Sequence, residues 1–225
     1  MKKHSQTLQI VSVIAIACLS MAYFDTVLMP GYFIRSLFKI GMFLLLPLLY
    51  ARLNPKVHYG YLFKFNWPHF KISLLLSISV SVFLLAAYWV LGPFFDFSNV
   101  TKSMEKNAGI TADNFLIVAL YISIANAFLE EFFFRGFAYL ELKKSTGKKT
   151  ALLISSLAFS LYHISIMSSW FTLPLMFLLL SGLFVGGLIF NWLNESSNSL
   201  YSSWMVHMFS NFAINIIGYS LFMTK

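Results

Sequence analysis

Six polar or ionisable residues interrupt long apolar stretches of this sequence, where such side chains are costly and mark candidate functional sites. They are Glu130, Glu131, Arg135, His163, His207 and Asn211. A carboxylate and an imidazole can activate water, whereas a second imidazole and a carboxamide can donate hydrogen bonds to an oxyanion. The sequence has no glycine-rich phosphate loop and no aspartate-rich metal motif, so the set favours amide cleavage over phosphoryl transfer.

Helical spacing separates the roles of the two glutamates. Glu131 and Arg135 stand at positions i and i+4, with the acid on the N-terminal side, which is the favourable order for an ion pair. Glu130 points about 100° away from Glu131 on a helix, and no basic residue follows it at i+3 or i+4. We therefore expect an intrahelical pair beside an available Glu130 carboxylate, with Asn126 one turn earlier to polarise it.

The two histidines also come with a companion one helical turn away. His207 and Asn211 share one face of their helix, and Phe159 shares a face with His163, so that its ring would wall the pocket. Counted along the helices from the nearest cytoplasmic loop, Glu130 and both histidines lie at similar depths of about 17–21 Å. The sequence therefore predicts that three helices contribute to one site.

The amino-acid composition indicates the kind of fold that contains this site. Of the 225 residues, 59% are hydrophobic and 11% are charged, whereas a soluble domain is about 45–50% apolar and about 25% charged. So little charge cannot cover a water-facing surface, which excludes a soluble fold and a disordered chain. Cys18 is the only cysteine, which excludes a disulfide scaffold.

The apolar stretches are long enough for helices that cross a membrane, and none alternates like a barrel strand. We predict an all-α polytopic bundle of about seven spans, with six to eight allowed, and the sequence also leaves room for a short extra helix around 57–70. Without internal repeats or linkers, residues 1–225 should form a single integral-membrane domain. The predicted spans are 8–29, 32–51, 71–95, 114–142, 150–166, 170–192 and 198–222.

Basic residues predict the orientation of the bundle. The formal net charge is +8, and in an apolar chain such a balance indicates contact with anionic lipid on the cytoplasmic side rather than nucleic acid. Asp25, Arg35 and Lys39 are expected near an interface, with their charges extended towards the headgroups. The N-terminus is therefore predicted to be cytoplasmic, as are the loops that carry half of the lysines and arginines: Arg52, Lys56, Lys64, Lys71, Lys143, Lys144, Lys148 and Lys149.

Three short motifs carry a family resemblance. Residues 130–135 match E-E-x-x-x-R, residues 159–163 match F-x-x-x-H, and residues 207–211 match H-x-x-x-N. In this order the motifs resemble those of the CPBP family of intramembrane proteases, which includes type II CAAX prenyl endopeptidases and Abi bacteriocin-immunity proteins. The resemblance covers about 115–215, the expected catalytic core.

The resemblance implies a role for each matched residue. Glu130 and His163 would activate water, His207 and Asn211 would stabilise the oxyanion, and the neighbouring glutamate–arginine pair would brace the site. The implied function is an intramembrane endopeptidase that cleaves membrane-associated peptides or proteins. A compact, basic chain of this kind would suit a bacterial plasma membrane.

The same residues could instead form a zinc site. Glu130, His163 and His207 could supply the three ligands of a catalytic zinc. That use would make Glu130 a ligand and leave Glu131, which is already paired, as the remaining base. We therefore prefer a mechanism without a cofactor and keep zinc as the alternative.

Two other classes of function compete with the protease. A bacteriocin-immunity or partner-binding membrane protein could retain the motifs and act without proteolysis. A proton-coupled transporter could use Glu130 and the histidines as a proton relay. The transporter is less favoured because the sequence has no matching pair of helices broken by glycine or proline in its two halves.

Overall fold

The computed structural model describes residues 2–223, which form helices and no strand. Seven helical segments are long and apolar enough to cross a membrane, which confirms the predicted all-α polytopic bundle. A further helix, α4, joins the third and fourth of these segments. The eight helices are α1 (Lys3–Leu28), α2 (Tyr32–Leu53), α3 (Trp67–Phe94), α4 (Ser98–Ala108), α5 (Phe115–Thr146), α6 (Lys148–Met167), α7 (Leu173–Ser197) and α8 (Leu200–Met223).

The segment 57–70, which had room for a short extra helix, contains a single short turn before α3. Its only helical part before α3 is a 3₁₀ turn at Gly60–Phe63. Asn66 then caps α3, because its side chain accepts a hydrogen bond from the backbone N–H of His69. The helix that crosses the membrane therefore begins at Trp67, four residues before the predicted start of the third span.

Helix α5 is the central element of the bundle. In its apolar window 44% of the residues are buried inside the protein, against 6% for α3, so α5 is enclosed by protein whereas α3 lies at the periphery. The aromatic run that follows Glu131 fills the core, and Phe43 of α2 stacks on Phe133 with ring centroids 4.4 Å apart. This stacking fixes α2 against α5.

Two segments of α5 are π-helical, Ile122–Asn126 and Phe132–Tyr139. Between them, Ala127–Glu131 forms an ordinary α-helical turn that carries both glutamates. Short π-helical stretches occur frequently at functional sites, because the wider turn changes the direction in which side chains project. The two glutamates thus lie where the register of the central helix changes.

Small and polar residues hold α6 between α5 and α7. A Cβ atom added at Gly187 would lie 3.0 Å from the Cβ of Ser156, so only glycine allows this approach. The Asn191 amide donates a hydrogen bond to the Ser156 hydroxyl, and the Ser155 hydroxyl donates to the Phe134 carbonyl at 2.8 Å. These contacts fix the helix that carries the first histidine of the predicted site.

A charge cluster ties α5, α6 and α7 together at one end of the bundle. The Glu195 carboxylate accepts a hydrogen bond from the Tyr139 hydroxyl at 2.7 Å and lies 2.6 Å from the Lys143 ammonium and 3.0 Å from that of Lys148. This end carries a basic loop that is predicted to be cytoplasmic. The cytoplasmic position of the N-terminus stays a prediction.

Helix α4 follows the C-terminal end of α3. The Asp96 carboxylate accepts a hydrogen bond from the backbone N–H of Ser98 at 2.8 Å, and this bond holds the pKa of Asp96 below its usual value. Near the other end of α4, the Asn107 carbonyl accepts a hydrogen bond from Arg35. The start of α2 is thereby tied to α4.

Candidate active site

Glu130 meets both histidines in the interior of the bundle. Its Oε2 atom lies 3.8 Å from Nε2 of His163 and 3.6 Å from Nε2 of His207. Only 2% of the Glu130 surface is exposed. Both separations exceed a direct hydrogen bond, so the three atoms border a common space that a small polar group can contact from one side.

The ring of His163 is oriented by its own helix. Its Nδ1 atom lies 2.7 Å from the Phe159 carbonyl oxygen. A carbonyl only accepts hydrogen bonds, so Nδ1 carries the hydrogen and Nε2 of the neutral ring presents its lone pair towards Glu130. The Phe159 ring also packs edge-on against the His163 and His207 rings, at centroid distances of 4.9 and 5.7 Å. Phe159 therefore lines the site, as its spacing predicts.

The ring of His207 is oriented by the second glutamate. Its Nδ1 atom lies 2.9 Å from Oε1 of Glu131, and a carboxylate accepts the hydrogen of this bond. The sequence predicts only an ion pair with Arg135 for Glu131. That pair is present at 3.1 Å, but the same carboxylate oxygen also holds His207.

Arg135 is buried completely and contacts aromatic rings as well as Glu131. Its guanidinium carbon lies 4.1 Å from the centre of the Phe159 ring and 5.0 Å from that of Phe190. Its nitrogens have no well-aligned hydrogen bond to any described residue. The pair with Glu131 is thus a charge contact in an aromatic cage, so losing either partner would leave a bare charge in the core.

Lys39 is the residue whose placement differs most from expectation. Its predicted position near an interface is wrong, because Lys39 is 5% exposed and its Nζ atom lies 2.5 Å from Oε1 of Glu130. The same ammonium donates to the Asn126 side-chain oxygen, and the Asn126 amide donates to Oε1 of Glu130 at 3.1 Å. The expectation of an unpaired Glu130 is therefore also wrong. Helical spacing shows only partners on the same helix, whereas this cation comes from α2.

Asp25 and Arg35 also form contacts inside the protein. Their side chains pair at 3.6 Å, and Arg35 further donates to the carbonyl of Pro30 at 2.8 Å. The hydroxyl of Ser165, two residues after His163, donates to the Asp25 carboxylate at 3.2 Å. The predicted extension of these charges towards headgroups is wrong, since they link α1, α2 and α6.

Asn211 lies one turn beyond His207 and contacts the first π-helical segment of α5. Its amide nitrogen donates to the Ile122 carbonyl at 3.3 Å. Within residues 2–223, the amide that reaches the Glu130 carboxylate is Asn126 rather than Asn211. One of the two N–H groups of Asn211 is thus committed to the backbone, and its role towards an oxyanion stays a prediction.

The fit of a metal ion can be judged from the donors. One carboxylate and two imidazole nitrogens are donor types that zinc prefers. In the described part of the chain, however, no group of three or more His, Cys, Asp or Glu side chains is arranged to hold an ion. The Lys39 ammonium already compensates the Glu130 charge and would repel a dication. The residues as placed do not fit zinc.

An apolar groove of about 710 Å³ lies along α2, the helix that carries Lys39. It runs between α2 and the segment 108–121, and its lining includes Ser36 and Ile40, which flank Lys39 along α2. None of the three converging residues lines it. The groove therefore shares α2 with the cluster, and the cluster itself lies outside the groove lining.

The fold and the cluster define a polytopic helical membrane protein with a buried carboxylate–imidazole site. Residues 112–213 match the family model described as Type II CAAX prenyl endopeptidase Rce1-like. This match contains all three motifs, covers slightly less than half of the chain, and confirms the predicted resemblance to the CPBP and CAAX protease family. No curated protein and no solved structure matches the chain.

Proposed function

We propose that this protein is an intramembrane endopeptidase that hydrolyses peptide bonds of membrane-associated peptides or proteins with a glutamate-activated water. The observation that carries the proposal is the convergence of Oε2 of Glu130 with two imidazole Nε2 atoms at 3.6 and 3.8 Å. Each imidazole is oriented by an acceptor at its Nδ1 atom. A buried base with oriented partners is what activation of water requires.

In the proposed reaction, Glu130 is the base and His163 orients the water. A water oxygen beside Oε2 of Glu130 donates one hydrogen to this carboxylate and the other to Nε2 of His163. As the oxygen attacks the scissile carbonyl carbon, its proton passes to Glu130. The carboxyl group then returns that proton to the leaving nitrogen when the C–N bond breaks, so the base is regenerated.

His207 and Asn211 are the proposed donors to the oxyanion. With its Nδ1 hydrogen bonded to Glu131, His207 donates from Nε2 only as an imidazolium, and the Glu131 carboxylate compensates that charge. Asn211 has a second N–H besides the one bonded to the Ile122 carbonyl. Donors aimed at developing charge contribute strongly to catalysis in a site that excludes water.

The substrate class and location follow from the surroundings. The cluster lies inside a bundle of apolar helices, and the groove along α2 is lined mainly by apolar residues. A substrate that reaches this site must therefore be soluble in the bilayer. We place the protein in a bacterial plasma membrane because the chain is compact and basic.

A comparison of membrane peptides between cells with the wild-type protein and cells with Glu130→Gln tests the proposal. When the wild-type protein and Glu130→Gln are equally abundant, we expect some peptides to appear only in cells with the wild-type protein. Identical peptide profiles would favour a bacteriocin-immunity or other binding function without proteolysis.

A further inference from the structure

Lys39 makes the most unusual contact of the site. It belongs to α2, outside the segment 112–213 that matches the protease family. Its ammonium is buried and contacts both the Glu130 carboxylate and the Asn126 side-chain oxygen. A buried lysine within an apolar span is costly, so this arrangement needs a compensating benefit.

The two oxygens of Glu130 have different partners. Oε1 accepts hydrogen bonds from the Lys39 ammonium at 2.5 Å and from the Asn126 amide at 3.1 Å. Oε2 faces the imidazole nitrogens of His163 and His207. Because a carboxylate is planar, two donors that hold Oε1 also determine the direction in which Oε2 points.

The ammonium itself is held by aromatic rings. It lies 5.2 Å from the ring centre of Phe43 and 5.0 Å from that of Tyr162, distances at which a cation is attracted to a ring. Phe43 stacks on Phe133 of α5, and Tyr162 precedes His163 on α6. Lys39 is therefore fixed relative to the two helices that carry Glu130 and His163.

We propose that Lys39 is a positioning residue of the site: it holds Oε1 of Glu130 so that Oε2 stays directed at the two imidazoles. This inference rests on the proposed function, in which Oε2 accepts the proton of water. It also means that the site is incomplete without α2. A displacement of about 1 Å in a reacting group can cost about 10²-fold in rate. Rotation of an unheld Glu130 carboxylate would move Oε2 by more than this distance.

A purely structural ion pair is the competing explanation, and a kinetic comparison separates the two. Wild type, Lys39→Met, Lys39→Arg and Glu130→Gln are purified and reconstituted in liposomes. The probes are the membrane peptides that accumulate in cells expressing Glu130→Gln, and their cleavage is followed by mass spectrometry at limiting and saturating substrate. Lys143→Met is the matched control, because it removes an ion-paired lysine from the end of the bundle.

A positioning role predicts a loss of about 10²-fold in kcat for Lys39→Met, with KM nearly unchanged. Lys39→Arg, which keeps a cation and donors, should regain most of this loss, and Lys143→Met should match the wild type. If Lys39→Met keeps the wild-type kcat while Glu130→Gln is inactive, the inference is wrong and the proposed function stands.

A second measurement needs no proteolytic activity and does not require that Lys39→Met folds. The side-chain ¹⁵N resonances of the two histidines report on what faces their Nε2 atoms. They should shift in Lys39→Met and return towards wild-type values in Lys39→Arg. The double variant Lys39→Met, Glu130→Met removes both charges and serves if the single variant does not fold. Glu130→Met has no side-chain oxygen for Lys39 to hold, so replacing Lys39 in this background should shift the resonances little. Unshifted resonances in folded Lys39→Met, or a full shift in the double variant relative to Glu130→Met, would contradict the positioning role.

Discussion

The segment 112–213 and the helices that precede it contribute different things to one site. The matched segment supplies every polar group that the motifs contain, namely two glutamates, an arginine, two histidines and an asparagine. The preceding helices supply the cation that contacts Glu130 and the ring of Phe43 that packs beside it. The comparison teaches that the motifs identify the polar groups that meet at the proposed site, whereas the cation in contact with the central carboxylate comes from a helix outside them.

The largest effect is expected from the group on which both regions converge. Glu130→Gln keeps the size of the side chain but removes the base, so proteolysis should fall to background while the protein still accumulates in membranes. Quantitative immunoblotting of membranes together with peptide mass spectrometry checks this. Activity at the wild-type level would remove Glu130 from the mechanism.

Within the matched segment, the buried ion pair of Glu131 and Arg135 should contribute most to the stability of the fold. Glu131→Ala or Arg135→Ala leaves an uncompensated charge in the core, at a cost of about 3–5 kcal/mol in free energy of unfolding. Glu131→Ala also frees the His207 ring, so its surviving fraction should be less active per molecule than that of Arg135→Ala. Thermal unfolding in detergent measures the first effect. Two variants with normal stability and no activity would contradict this division between the glutamates.

The proposed oxyanion donors, His207 and Asn211, should affect turnover by a similar or smaller amount. His207→Ala should lower kcat by about 10²–10³-fold, as the loss of a single oxyanion donor does, and Asn211→Ala should resemble it. Neither should change the metal content of the purified protein, and a chelator should leave activity intact. One zinc per chain by elemental analysis, lost in His163→Ala and His207→Ala but kept in Asn211→Ala, would replace this mechanism with a zinc mechanism.

The smallest effect is expected from substitution in the charge cluster around Glu195 at the end of the bundle. The side chain of Lys143 is 38% exposed and pairs with Glu195 at 2.6 Å. Exposed pairs of this kind contribute about 0.2–1 kcal/mol. Lys143→Met should therefore unfold slightly earlier than the wild type and cleave at the same rate. A loss of activity at normal stability would show that the site is sensitive to charge far from Glu130.

Much of the fold and part of the site could be predicted from the sequence. Seven apolar stretches determine seven helices, because each must satisfy its backbone hydrogen bonds within the membrane. The i, i+4 spacing of Glu131 and Arg135 predicts their contact, and similar depth along three helices predicts the meeting of Glu130 with the histidines. Both patterns depend only on distance along a helix.

What the sequence did not reveal depends on packing between helices. The approach of Lys39 to Glu130 requires the rotation of α2 about its axis, which the stacking of Phe43 on Phe133 determines. The π-helical segments of α5 shift the faces of the helix in a way that regular spacing does not anticipate. A lysine within a predicted span was nonetheless a signal, because buried charges in membranes are rare without a function.

The most direct test of the central claim is cleavage by the purified protein. Wild type and Glu130→Gln are reconstituted in liposomes with membrane peptides that accumulate in cells expressing Glu130→Gln, and products are measured with and without a chelator. The account predicts that wild-type protein alone releases new peptide termini, in ¹⁸O-labelled water with one labelled oxygen at each new carboxyl group, and that the chelator has no effect. Equal product from both proteins, or no product from either, would contradict it.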